Sequence, residues 1–268
     1  MKLAVVMAVH NNQSTLQTAI KSILNQSFQD FKFIIIDDAS TDGSATILTK
    51  FALDDKRVQI ITNNHHLGLT RSLNIGLKRT KAQYIARMDA DDISLPKRLE
   101  TQIQFLNKHP QIMLLGTAVY LINDQEKQLS LKRFPSDYQT LRHQVLKHCP
   151  FIHPTWIIRR SILTKIGSYN QKFPFAQDYE FVLKLLAKHQ AANLPQPLLK
   201  YRVDSTHAIS FNNLKQQEFL ALKARFLAIT KYGYPKTESW KLIKPLLSFL
   251  VPTFIKIPIY KKLYWQFK

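Results

Sequence analysis

The first hundred residues alternate between short apolar runs and amphipathic segments, and this alternation limits the fold more than any other feature. "LAVVMAV" (Leu3–Val9), "FKFIIID" (Phe31–Asp37), "RVQIIT" (Arg57–Thr62) and "AQYIARMD" (Ala82–Asp89) are apolar runs of strand length. Between them, "STLQTAIKSILNQS" sets Leu16, Ala19, Ile20, Ile23 and Leu24 at helical spacing, with Ser14 as its N-cap. "SATILTKFA" and "LTRSLNIGLKRT" are two further helices. The strands show no apolar–polar alternation, so both their faces are buried. Such strands, separated by helices, predict an α/β fold with a parallel sheet covered on both sides.

In such sheets, ligands bind beyond the C-terminal ends of the strands. Three polar clusters lie there. His10-Asn11-Asn12 follows the first strand, Asp37-Asp38 closes the second, and Asp89-Ala90-Asp91-Asp92 closes the fourth. Together they would line one crevice.

Further along, "KRLETQIQFLNKH" reads as a helix with Leu99, Ile103 and Leu106 on one face. "QIMLLGTAVYLIN" (Gln111–Asn123) reads as a strand interrupted at Gly-Thr. Leu129 to Arg160 has no clear period. "DYEFVLKLLAKH" (Asp178–His189) is a helix, "PLLKYRVD" is a final strand, and the chain from Leu214 onward is helical and basic. His143, His148 and His153 recur every five residues, which fits no zinc-site spacing, so they read as loop and core residues.

The aspartate cluster is unexpected in a chain with 38 Lys+Arg against 18 Asp+Glu, a formal charge of +20. Adjacent carboxylates repel and need a cation or a proton. In an extended segment, Asp89 and Asp91 point to the same side and can converge on one ion. Mg²⁺ or Mn²⁺ takes one or two protein carboxylates and fills its shell with phosphates and water. The spacing therefore suits a nucleotide-diphosphate site.

The segments "VVMAVHNN", "IIIDDASTDGS", "LGLTRSLNIGL", "YIARMDADDISLPKRLETQ" and "FAQDYEFVLKLL" occur in this order. Over about residues 1 to 210 the chain resembles the inverting glycosyltransferases of family 2, which have the GT-A fold. It is most similar to bacterial enzymes of surface-polysaccharide synthesis. The resemblance implies a mostly parallel, Rossmann-like sheet flanked by helices. Residues 1–105 would bind the nucleotide sugar, 106–210 would bind the acceptor, and 211–268 would form a basic, aromatic helical tail.

The resemblance also implies roles for individual residues. Asp38 would accept the imide N–H of uracil, with Asp37 structural. Arg71 would lie near the base and phosphates. Ala8 and His10 would line the base pocket, Ala8 through backbone only and His10 by stacking. Asp91 would ligate the metal, Asp89 would reach the ribose or the metal, and Asp92 would stand behind them or cap the helix beginning near Pro96. Asp178 would be the general base, with Gln177 standing where the family usually has Glu. Relatives carry a histidine after "YR" near the metal. Here Asp204 occupies that place, and His207 is the candidate ligand.

The expected activity is transfer of a sugar from a UDP-linked donor, with Mg²⁺ or Mn²⁺, to a saccharide or lipid-linked saccharide. A nucleotidyltransferase commonly carries a Gly-rich loop after strand one, but "AVHNNQST" has no glycine. A nucleic-acid binder would gather its charge in one aromatic-interleaved stripe, whereas here the charge is spread along the chain and concentrated near the end. No nucleic-acid partner is therefore expected.

The single cysteine, Cys149, excludes an internal disulfide framework and suits a reducing compartment. Lys2 with Leu3–Val9 imitates a signal peptide, but "HNNQ" follows in place of a cleavage site. From Ser239 to Lys268 there is no Asp or Glu, and lysines alternate with aromatics. That mixture predicts an interfacial segment on an anionic membrane, which would place the protein on the cytoplasmic face of a bacterial inner membrane.

Overall fold

The computed structural model describes residues 2–203, 213–253, 255 and 256. Strands β1 (Leu3–Val9), β2 (Phe31–Asp37), β3 (Val58–Thr62) and β4 (Tyr84–Arg87) form the parallel half of the sheet, in the order β3-β2-β1-β4. Helices α1 (Gln13–Leu24), α2 (Ser44–Asp54) and α3 (Leu69–Arg79) connect them. Gly76 lets α3 approach the sheet closely, because a Cβ there would stand 2.5 Å from Val6 Cγ1.

The sheet continues through β8 (Ile157–Arg159), β6 (Ile112–Ile122), β9 (Gln190–Arg202) and β5 (Ile93–Ser94), with β7 (Gln128–Lys132) on β6. Within this half, β6 and β9 run parallel, while β8, β5 and β7 are antiparallel to their neighbours. Helices α4 (Arg98–Lys108), α5 (Tyr138–Gln144), α6 (Ile162–Ile166) and α7 (Gln177–Lys188) complete this part of the chain. Two apolar clusters form the core, one on each face of the sheet. This two-sided burial explains the continuous apolar strands.

Several expectations change in detail. The Gly-Thr pair does not interrupt β6. Gly116 stays in the strand because Asn193 Oδ1 and Phe151 occupy the space a side chain would need. The last long strand begins at Gln190, well before "PLLKYRVD", and includes Pro195 and Pro197. Register shifts at Thr117/Ala118 and Ala118/Val119 accommodate the missing N–H groups. Ser14 is not the N-cap of α1. Asn12 holds that position, and its carbonyl accepts from Thr15 and Leu16. Strands β7 and β8 and helix α5 arise from the segment that showed no clear period.

Beyond residue 212 lie α8 (Leu214–Leu227), a wider turn (Ala228–Tyr232), a 3₁₀ turn (Lys236–Leu242) and α9 (Ile243–Leu250). Ala224, Ala228 and Tyr234 join the core cluster around α7, and the Tyr234 hydroxyl donates to Leu183 O at 3.0 Å. Among the described residues no helix is long and apolar enough to cross a membrane.

Candidate active site

The C-terminal ends of β1, β2 and β4 meet at one edge, as the sequence predicts. After β2 the backbone turns through Ala39 at φ 56°, and after β1 it turns through Asn11 at φ 54°. Left-handed conformations are disfavoured for alanine and gather at functional sites. Asp37 is buried and caps this turn, Oδ1 accepting from Ser40 N at 3.0 Å.

The Asp38 carboxylate is buried at the mouth of the parallel sheet. Oδ1 accepts from Asn63 Nδ2 at 2.7 Å and Leu67 N at 2.8 Å. Oδ2 accepts from Gly68 N at 2.8 Å and faces His66 Nδ1 at 3.0 Å. Burial raises its pKa, but the hydrogen bonds from Leu67, Asn63 and Gly68 outweigh that and hold it below the ordinary value. His10 Nδ1 lies 2.8 Å from Asp38 O, and its ring packs against His66 with centroids 4.0 Å apart. Half-buried Ala8 sits in β1, two residues before His10. Arg71 is exposed in the first turn of α3, three residues beyond Gly68.

Asp89, Asp91 and Asp92 each offer a carboxylate oxygen within 4.8 Å of the others. Asp92 does not cap α4, which starts only at Arg98. Its Oδ1 accepts from Arg202 N at 2.9 Å, while Oδ2 is buried with no hydrogen-bond partner. Burial first, then the neighbouring Asp89, pushes the Asp91 carboxyl up to about 6. Burial, Asp91 and Asp89 together push Asp92 well above the usual range. An orphaned buried oxygen within three mutually repelling carboxylates suits a divalent oxygen-seeking cation. His207 lies outside the described residues.

Three arginines of this site escaped the sequence reading. Arg87 is buried and ion-paired with Asp89. Arg98 is fully buried and donates to Arg87 O at 2.6 Å. Arg202 donates to the carbonyls of Asp91, Asn123 and Asp124. The available signal was a charged residue inside an apolar run, as in "YIARMD". Such a group is buried only with a partner.

Asp178 occupies the first turn of α7. Burial raises its pKa, backbone N–H groups oppose the rise, and the charges of Arg87 and Asp89 reach it from β4. The loop before α7 is pinned to α3. Asn74 Nδ2 donates to Tyr169 O at 2.8 Å, and Thr70 Oγ1 donates to Pro174 O at 3.4 Å. These contacts fix the approach to α7, and with it Asp178, relative to α3. The Gln177 side chain is buried, its Oε1 without a partner.

The sequence profile described as "Glycosyl transferase family 2" matches residues 4–167. The chain belongs to glycosyltransferase family 2. It is 32% identical over 206 residues to the O-antigen biosynthesis glycosyltransferase WbnJ of Escherichia coli, covering 75% of this chain and 79% of that one. The fold is that of S. aureus TarS crystallised with UDP, with a TM-score of 0.68 at 18% identity over 93% of this chain and 71% of the other. It is also that of the mannosyltransferase PcManGT from Pyrobaculum calidifontis in complex with GDP-Man and Mn²⁺, with a TM-score of 0.66 at 14% identity over 96% and 72% of the two chains. The chain is thus a glycosyltransferase enzyme with the GT-A fold.

Proposed function

We propose that this enzyme moves a sugar from a UDP-linked donor to a saccharide or lipid-linked saccharide in surface-polysaccharide synthesis, with inversion at the anomeric carbon. The observation that carries this reading is the position of Asp178, a half-buried carboxylate with a raised pKa within electrostatic reach of the Asp89 end of the crevice. The UDP in TarS and the O-antigen role named for WbnJ support the choice of donor and pathway class.

The uracil would lie against His10, its imide N–H donating to Asp38. His66, whose side chain is 56% exposed, would give up its contact with Oδ2 to make room. Arg71 would face the phosphates. Asp91, with Asp89 and Asp92, would hold Mg²⁺ or Mn²⁺, which when bound neutralises charge on the diphosphate leaving group. Asp178 would take the proton of the acceptor hydroxyl as its oxygen bonds to the anomeric carbon. On the opposite face the bond from that carbon to the phosphate oxygen breaks, and the electron pair leaves with UDP.

The protein would work at an anionic membrane surface on the cytoplasmic side. The support is an apolar stretch on α9 and just beyond it that is exposed among the described residues, with Leu246, Leu250 and Val251 facing solvent in a region rich in lysine. Aromatic residues of the tail from Ile257 onward lie outside the described residues.

The proton NMR spectrum of the sugar product tests the mechanism. An α-linked donor should give a β-configured product, and a retained configuration would contradict direct displacement.

A further inference from the structure

Two histidines at the mouth of the parallel sheet are anchored on one residue, Asp38. Its carbonyl can only accept, so His10 Nδ1 carries the proton that bonds it at 2.8 Å. Burial raises the Asp38 pKa, but the hydrogen bonds from Leu67, Asn63 and Gly68 leave it below the ordinary value, so at neutral pH the carboxylate also only accepts. His66 Nδ1 therefore donates to Oδ2, at 3.0 Å. The two imidazoles pack on each other with centroids 4.0 Å apart and planes inclined by 37°.

The acceptor positions of this carboxylate are nearly full. A carboxylate offers about four, shared between its two oxygens. Asn63 Nδ2 and Leu67 N fill Oδ1, and Gly68 N takes one position on Oδ2. The last is the one His66 holds. The backbone is fixed on both sides of His66. Asn63 N donates to Asp37 O at 2.9 Å, and Leu67 N and Gly68 N are held by the carboxylate. Gly68 has φ 86°, a conformation that glycine adopts without strain. The exposed His66 side chain is the movable part, and it can leave Oδ2 by rotating about its own bonds without breaking any of these contacts.

Uracil fits what this arrangement leaves. Its imide N–H is a single donor, with a carbonyl on either side. We propose that His66 is a base-recognition residue: when the imide N–H takes its place on Oδ2, the displaced Nδ1–H donates to the uracil carbonyl alongside. Asp38 and His66 together then read one donor next to one acceptor. Without His66, that carbonyl would stand beside a carboxylate oxygen with no donor between them. A guanine edge is a worse match, because its N1–H and 2-amino group call for both carboxylate oxygens and Oδ1 is already filled. This assignment rests on the UDP reading above and adds to it a residue that selects uracil over guanine.

Calorimetric titration of the full-length protein with Mn²⁺ present tests this, with UDP, GDP and three UDP analogues as probes. The wild type should bind UDP, and GDP far more weakly. His66→Ala should bind UDP roughly tenfold more weakly, the worth of one hydrogen bond. His66→Asn should recover most of that loss, because its amide nitrogen stands as far along the side chain as Nδ1. The sulfur of 2-thio-UDP or 4-thio-UDP is a weak acceptor. One of the two should bind the wild type severalfold more weakly than UDP, and His66→Ala should not distinguish that analogue from UDP.

UDP binding to His66→Ala as tight as to wild type, or tighter, would overturn the proposal, because a histidine that merely plugs the empty site weakens binding while it is present. GDP binding as tight as that of UDP would also overturn it, as would thio analogues whose effects are the same with and without His66. His66 is exposed, so the variants should fold, and circular dichroism checks that they do. N3-methyl-UDP lacks the imide donor and should bind neither the wild type nor the variants. Its binding as tightly as UDP, or no binding of UDP at all, would overturn the Asp38 reading and the proposal with it. The His66 results can fail while that reading stands.

Discussion

The guanidinium of Arg87 pairs with the carboxylate of Asp89 two residues along the chain, and its Nε and Nη1 have no hydrogen-bond partner among the described residues. Asp89 thus compensates a buried cation at the same time as it contributes to the acidic cluster. Removing its charge strands Arg87 in an apolar setting. Asp89→Asn should therefore destabilise the metal-free protein by about 3 kcal/mol, read as a lower urea midpoint. A midpoint unchanged from wild type would show that the pair does not hold this corner.

Asp91, two positions further on, should behave in the opposite way. Its carboxyl is pushed up to about 6 by burial and by Asp89. Between the ordinary carboxylate value and about pH 6, the folded protein keeps a proton that the unfolded chain has released, so metal-free stability falls as pH rises through that window. Asp91→Asn removes this penalty. In EDTA, the melting temperature of the variant should match wild type near pH 4 and exceed it increasingly up to neutral pH. A constant difference across that range would count against the raised pKa.

The parallel half of the fold was legible because continuous apolar runs have few alternative explanations. The ends of β1 and β2, at Val9 and Asp37, coincide with the edges of those runs. The second half was hidden for a physical reason. Strand β8 has only three residues, and β9 carries two prolines that its bulged pairing with β6 absorbs. The carboxylates of the site were visible as clusters. Their arginine partners come from separate segments, Arg202 reaching Asp91 and Asp92 across more than a hundred residues, and no local pattern reports that contact.

Asp178→Asn should lower turnover by a factor on the order of hundreds to thousands, with UDP affinity nearly unchanged. Burial raises the Asp178 pKa, so wild-type turnover should fall on acidification at a pH above the ordinary carboxylate range. Turnover of Asp178→Asn equal to wild type would remove this residue from the chemistry.

The proposed membrane association would rest on apolar side chains of α9 that face solvent among the described residues. Leu246→Glu combined with Leu250→Glu should reduce co-sedimentation with phosphatidylglycerol vesicles severalfold, because both side chains are more than half exposed. Equal sedimentation of the double variant and wild type would place membrane contact elsewhere or deny it.

The most direct test of the central claim is calorimetric titration of UDP into the protein in the presence of Mn²⁺. The account predicts binding to wild type that disappears in EDTA and is lost or much weakened in Asp91→Asn. No UDP binding with Mn²⁺, or binding to Asp91→Asn as tight as to wild type, would contradict it.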